Sequence, residues 1–222
     1  MKPADILLFV FVFMGAIIGT CLHEFGHALV AYYGGDVTVR DKGYLTLNPL
    51  KYTHPLYSIL LPLVFLAIGG IPLPGGAVYI DHSRIRNKWW DSGLSLAGPA
   101  ATLLFTLLLA IPFILGIAGK TGPLWIGWAF LVGAQVLAFF FNLLPIPPLD
   151  GYHTISPFLP REIRKTLDSF GHIGIFILFI VFFQIPSVNQ AFWGVSYHMM
   201  DLLNVPPEQF REGFRAIRFW EN

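Results

Sequence analysis

His23-Glu24-Phe25-Gly26-His27 reads H-E-x-x-H. Histidines four apart lie one helical turn apart, so both imidazoles leave the same face of a helix. Such a face holds one Zn2+ through two nitrogens, and the glutamate between them can take a proton from a water on the metal. The setting of the motif decides the fold. Ile6 to Ile18, upstream, is almost wholly apolar, and Ala28 to Tyr33, downstream, carries no charge. The motif therefore belongs to a helix of membrane length.

The rest of the chain agrees. Its 222 residues are 55% hydrophobic and only 12% charged, with a mean hydropathy of +0.64, where a soluble domain carries about 25% charged residues. The composition predicts a polytopic membrane protein in contact with the lipid bilayer. One membrane-embedded domain is expected over 1–205, with a short soluble tail over 206–222. A net charge of +1 leaves no nucleic-acid footprint. The single cysteine, Cys21, excludes an intrachain disulfide framework and reads as a small helix-packing residue rather than a ligand. Lys2 and the apolar run after it imitate a signal peptide. No A-x-A site follows and the run continues into His23, so an uncleaved helix is expected.

In chain order, helix 1 runs from about Ala4 to Tyr33 and stops at Gly34-Gly35. Val37-Thr38-Val39 and Tyr44-Leu45-Thr46-Leu47 read as two strands of a hairpin around Asp41-Lys42-Gly43. Leu56 to Gly70 is apolar but short and interrupted by Pro62. Pro72 to Gly76 then leads into the strand-like Ala77-Val78-Tyr79-Ile80. Helices follow at about Ser92 to Ala118, Leu124 to Leu144 and Phe170 to Ile185. Ser187 to Leu203, with Asn189, Gln190, His198 and Asp201, reads as a sixth span or an interfacial helix. The expected fold is an all-α polytopic membrane protein of about five or six membrane helices, with a short β-hairpin and a re-entrant segment near the active site.

Charge counting selects that re-entrant segment. If Leu56–Gly70 spans the membrane, the two sides carry equal numbers of Lys and Arg. If Leu56 to Ile80 enters and returns to the same side, Arg40, Lys42, Lys51, Arg84, Arg86, Lys88, Arg161, Arg164 and Lys165 share one side against Lys2 and Lys120. Nine against two obeys the positive-inside rule, and a short segment broken by proline suits re-entry. The N-terminus is then outside, and the metal lies inside a cell membrane, nearer the cytoplasm.

A catalytic zinc needs a third protein ligand and an open position. At membrane depth the candidates are rare polar residues, because a buried ionisable group is costly there. Asp150 is the best of them: it follows a long apolar helix that Pro145, Pro147 and Pro148 break, so its carboxylate can turn inward. Asn142 reads either as a buried hydrogen-bonding amide or as a group that holds a substrate carbonyl or developing oxyanion. Gln135 reads as a tie between helices. His54, His82, His172 and His198 stand outside ligand spacing and read as interfacial. His153 is a weaker candidate for support behind the ligands. Interhelical hydrogen bonding is the bland alternative for His23 and His27. Two histidines flanking a glutamate at zinc spacing favour the metal.

The chain resembles the site-2 proteases, the intramembrane zinc metalloproteases of peptidase family M50. HEFGHALVA, His23 to Ala31, is similar to the first family motif, and NLLPIPPLDG, Asn142 to Gly151, to the second. SLAGPAA, Ser95 to Ala101, is similar to the alanine-glycine-proline stretch of a core helix. YLTLNPLKYTHP and PLPGGAV resemble segments that compact bacterial members place between the motifs. The resemblance implies Zn2+, one per chain, on His23, His27 and Asp150. Two positions depart from the pattern. Tyr152 replaces the second glycine of aspartate-glycine-glycine-histidine, and Thr102 stands where many members carry asparagine. No stretch reads as a PDZ or CBS sensor domain.

The expected activity is hydrolysis of peptide bonds in or near the transmembrane segments of membrane-protein substrates, with Glu24 as the base and Asn142 as a possible helper. A non-catalytic membrane zinc protein, chaperone-like or a pseudoprotease, is the binding-class alternative. Glu24 argues against it, since zinc binding alone does not need that glutamate. A transporter with a midplane metal site is a third reading, but no internal repeat is visible.

Overall fold

A computed structural model describes residues 3–53, 76–119, 121–171, 173, 174, 180–182 and 184–218. Its regular elements are helices: α1 (Pro3–Gly34), α2 (Thr38–Asp41), α3 (Pro49–Tyr52), α4 (Lys88–Ile114), α5 (Pro123–Asn142), α6 (Asp150–Ile155), α7 (Arg161–Ser169), α8 (Pro186–Leu202) and α9 (Pro207–Ile217). Short 3-10 turns lie at His82–Arg84 and Ser156–Phe158.

Three of these, α1, α4 and α5, are long and apolar enough to cross a membrane. The 32 residues of α1 run about 48 Å, well beyond the ~30 Å hydrocarbon core. The expected five or six spans reduce to these three among the described residues. Leu56–Gly70, and with it the re-entrant reading, lies outside the described residues, as do 172, 175–179 and 183 within the expected helix Phe170–Ile185. Ser187–Leu203 appears within α8, which at 17 residues is shorter than the three spans.

Helix α1 ends where the double glycine predicts. Gly35 adopts φ +126°, which a side chain would resist, and Asp36 N donates to Ala31 O at 3.0 Å. Helix α4 runs antiparallel to α1. Its start lies at the end of α1, where Arg86 N donates to Gly34 O at 2.9 Å. Its far end packs Ala110 and Phe113 into the cluster that holds Leu8 and Val12. Helix α5 runs alongside α1, Gly127 against Leu8 and Gln135 against Gly19. Outward side chains such as Leu7, Leu104 and Leu108 are exposed and apolar, as lipid-facing positions must be.

The predicted hairpin is not formed, and no strand occurs among the described residues. Asp36 explains it: its Oδ1 accepts from Thr38 N at 3.1 Å and from the Thr38 hydroxyl at 2.6 Å, which captures Thr38 in a helical turn. Gly43, at φ +80°, closes that turn. The Tyr52 hydroxyl then donates to the carbonyls of Tyr44 and Thr46, groups a ladder would have used. The strand-like Ala77–Ile80 carries no ladder either. It is tethered by Ala77 N to Tyr52 O at 3.0 Å and by Lys42 Nζ to Tyr79 O at 2.7 Å.

The stretch read as a tail forms α9, whose apolar side packs on α5. Phe210 and Ile217 are buried, the Phe130 and Phe210 rings stack at 5.6 Å, and Gln209 Nε2 donates to Gly119 O at 2.8 Å.

Candidate metal centre

Helix α1 delivers His23, Glu24 and His27, helix α4 backs them, and the first residue of α6 faces them. The peptide between Pro147 and Pro148 is cis, and Asp150 opens α6 just beyond it. One carboxylate oxygen of Asp150 lies 3.1 Å from His23 Nε2 and the other 3.4 Å from His27 Nε2. The two Nε2 atoms are 3.2 Å apart. The three side chains the sequence names as ligands thus converge within 4.8 Å.

The back of each ring sets its tautomer. His27 Nδ1 donates to the Leu94 carbonyl at 2.8 Å, so that nitrogen carries the proton. The Thr102 hydroxyl sends its hydrogen to Gly98 O, 3.2 Å away, and therefore accepts from His23 Nδ1 at 2.9 Å. Both rings then turn a bare Nε2 lone pair inward. Asp150 Oδ2 is buried and receives no hydrogen bond. Two lone pairs and an orphaned carboxylate oxygen facing one point need a cation. Bonds of 2.0–2.1 Å at tetrahedral angles place ligand atoms about 3.3 Å apart, close to the 3.2 Å between the two Nε2 atoms and the 3.1 Å from His23 Nε2 to Asp150 Oδ2. The donor set fits zinc.

Glycines make the approach possible. A Cβ on Gly98 would fall on His27 Nε2 and lie 2.7 Å from His23 Nε2. A Cβ on Gly26 would lie 2.6 Å from the Ala97 carbonyl. Helices α1 and α4 therefore meet backbone to backbone behind the cluster, and the rings rest on α4 itself.

In front of the cluster lies a cavity of about 390 Å³. Glu24 borders it and is only 6% exposed. The segment at Gly76 passes so close that a Cβ there would lie 2.8 Å from Glu24 Oε1. Asn142, Gln135 and His153 line the same cavity. Asn142 Nδ2 donates to Ala138 O at 3.1 Å, so one of its N–H bonds is spent within α5. Gly19 lets the Gln135 amide come against α1, 2.5 Å from where a Cβ would stand. His82 borders the cavity and holds Asp91 at 2.6 Å. His198 does not border it. His54 and His172 lie outside the described residues.

Two parts of the site escaped the sequence reading. Thr102 entered it as a departure from a family pattern, yet its hydroxyl is the partner of His23. The Leu94 carbonyl has no side-chain signature at all. Thr102 was findable in principle, one turn beyond Gly98 on the same helix face.

Membrane-length helices around a buried two-histidine, one-carboxylate cluster, with a glutamate beside it, are the architecture of a membrane protein with a candidate metal centre. Sequence comparison narrows the class. The chain is 40% identical over 213 residues to "Putative zinc metalloprotease Rip2" of Mycobacterium tuberculosis, covering 96% of this chain and 82% of that protein. It is 41% identical over 218 residues to the protein of the same name in Mycolicibacterium smegmatis, again 96% and 82%. "Putative zinc metalloprotease YwhC" of Bacillus subtilis is 32% identical over 208 residues, 90% of this chain and 89% of that protein. No family model and no solved structure matches the chain. The chain belongs to the site-2 protease-like family of zinc metalloproteases.

Proposed function

We propose that the protein is an intramembrane zinc metalloprotease that cleaves peptide bonds in or near transmembrane segments of membrane-protein substrates. The observation that carries the reading is the convergence of His23, His27 and Asp150 on one point, with Glu24 beside it on the same cavity. His23, His27 and Asp150 hold one Zn2+. When bound, the metal supplies Lewis acidity toward the scissile carbonyl and toward water. Glu24 takes the proton from the attacking water and returns it to the leaving amine. Thr102 and the Leu94 carbonyl keep both imidazoles in the ligating tautomer. Asn142 has one amide N–H left to direct at the substrate carbonyl.

The burial of the cluster between α1 and α4, two helices long and apolar enough to cross a membrane, supports chemistry within the depth of the spans. A substrate helix hides its peptide bonds in its own hydrogen bonds, so it must unwind locally before it is cut. The charge distribution supports an N-terminus outside and a site nearer the cytoplasm. A non-catalytic zinc protein is the alternative, and Glu24 on the cavity wall counts against it.

Purified variants test the roles. Glu24→Gln is expected to keep zinc and to lose cleavage of a membrane-protein substrate in detergent. His23→Ala, His27→Ala and Asp150→Ala are expected to lose both, and metal analysis reports it. Full zinc occupancy in Asp150→Ala would remove that carboxylate from the ligand set. Cleavage by Glu24→Gln at the wild-type rate would remove the base.

A further inference from the structure

Helix α7 stands apart from the core of the described residues. None of its residues is buried. Ile163, Leu167 and Phe170 recur at i, i+4 and i+7, which makes one apolar stripe. Ile163 is 50% exposed and Phe170 41%. Arg161 and Lys165 fall on the opposite side of the helix and Arg164 on its flank. A short helix with this division of faces is built for a boundary between oil and water.

Its place in the fold says which boundary. Phe158, three residues before α7, packs its ring on Trp89 with centroids 4.8 Å apart. Trp89 lies in the first turn of the span α4 and is 76% exposed, the level where tryptophans mark a membrane surface. Lys88 and Arg86 sit at that level too. The rotation of α7 about its axis is also held. The Tyr152 hydroxyl donates to Asp168 Oδ1 at 2.6 Å, and Arg164 Nε reaches the other oxygen of Asp168 at 3.7 Å. Tyr152 is itself buried, so its hydroxyl is a fixed donor to Asp168. The glycine that the family pattern expects at 152 would leave Asp168 without this partner. Tyr152 orients α7 so that its apolar stripe faces away from the protein.

We propose that α7 is a docking surface for an anionic lipid bilayer: Ile163, Leu167 and Phe170 enter the acyl boundary, and Arg161, Arg164 and Lys165 pair with anionic headgroups. Arg164 flanks the exposed apolar stripe, and the long side chains of Arg161 and Lys165 can reach back to the surface from the far side of the helix, whereas a partner protein would not require α7 to start beside the end of a span. The inference rests on α1, α4 and α5 spanning a membrane and not on catalysis, so its readouts are physical. Spin labels are placed at Ile163→Cys and Lys165→Cys in a Cys21→Ser background, in nanodiscs of phosphatidylcholine with and without phosphatidylglycerol. The label at 163 is expected to be reached by oxygen and shielded from a water-soluble nickel complex, and the label at 165 the reverse. In native mass spectra, the variant carrying Arg161→Gln, Arg164→Gln and Lys165→Gln should retain phosphatidylglycerol at least about five-fold less than wild type, the effect of one cation at an anionic surface. Nickel access at 163 in both lipids overturns insertion and leaves a protein partner as the occupant. Equal retention by the charge variant overturns the headgroup pairing. Neither result depends on whether the protein cleaves anything.

Discussion

The two halves of the membrane bundle pack by opposite means. Where α1 crosses α4 behind the candidate metal centre the contact is made of small residues and backbone: Ala28 and Ala31 are fully buried, and Gly26 and Gly98 bring the two helices into contact. On the far side of α5 the core is aromatic. Phe130 stacks on Phe210 at 5.6 Å and on Phe214 at 6.3 Å, and Trp193 on Tyr197 at 5.6 Å. In a membrane, helices gain little from burying apolar surface against each other, so close backbone approach takes over where position matters. At the near-side crossing an atom added to Gly26 or Gly98 would meet the backbone of α4 or the imidazoles themselves. The far side closes the bundle, and its large rings can be trimmed at a graded cost.

That contrast can be broken from either side. The largest effect is expected from Gly98→Val, because branched carbons cannot share the space of His27 Nε2 and the atom in the way is one of the proposed ligands. Zinc content and cleavage should both be lost while the bundle still forms. A zinc-replete Gly98→Val protein would show that α4 can retreat, and the backbone-contact account would fail. On the far side, Phe210→Ala should cost about 3 kcal/mol of stability with zinc stoichiometry unchanged, read by thermal unfolding in detergent and metal analysis. Loss of zinc in that variant would mean that the two halves are not separate. Thr102→Val sharpens the near side. It keeps volume and removes the acceptor behind His23, so zinc affinity should drop about 10–100-fold in a chelator competition, with thermal stability of the metal-free protein little changed.

The same division governs what the sequence made legible. The convergence of His23, His27 and Asp150, with Glu24 on the same cavity, was readable because metal chemistry permits few residue types and one helical spacing, and because a carboxylate at membrane depth needs a reason. The end of α1 was readable from Gly34-Gly35. The hairpin was misread because Val37–Val39 and Tyr44–Leu47 have strand composition, while one carboxylate, Asp36, decides the local backbone through bonds no propensity records. The docking of α9 was hidden by its charges, although Phe210, Phe214 and Ile217 repeat at i, i+4 and i+7. Thr102 was noticed for the wrong reason: a family comparison marks it as a substitution, and only the facing ring shows it as a hydrogen-bond partner.

Asp36 gives the smallest effect and the closest test of how the near side is held. Its side chain is fully buried just past the end of α1. Oδ1 binds Thr38, and Oδ2 accepts from Asp81 N at 2.8 Å. It thus fastens the segment that passes Glu24 to the helix that carries Glu24. Burial alone would raise this carboxyl, but the bonds from Thr38 and Asp81 and the charge of Lys42 outweigh it and hold the group below its ordinary value. A carboxyl depressed in the folded state stabilises fully above its unfolded pKa, about 3.9, and the benefit is lost as pH falls through the folded pKa. In Asp36→Asn the amide can still accept from Thr38, but its NH2 then faces the Asp81 N–H, donor against donor. That should cost about 1–2 kcal/mol at neutral pH. Thermal unfolding of wild type and Asp36→Asn in detergent should therefore differ at pH 7 and draw together as acid protonates the wild-type carboxylate. A gap that stays constant down to the acid limit would show that Asp36 acts through shape alone, and that the segment beside Glu24 is held by Ala77 and Tyr79 without it.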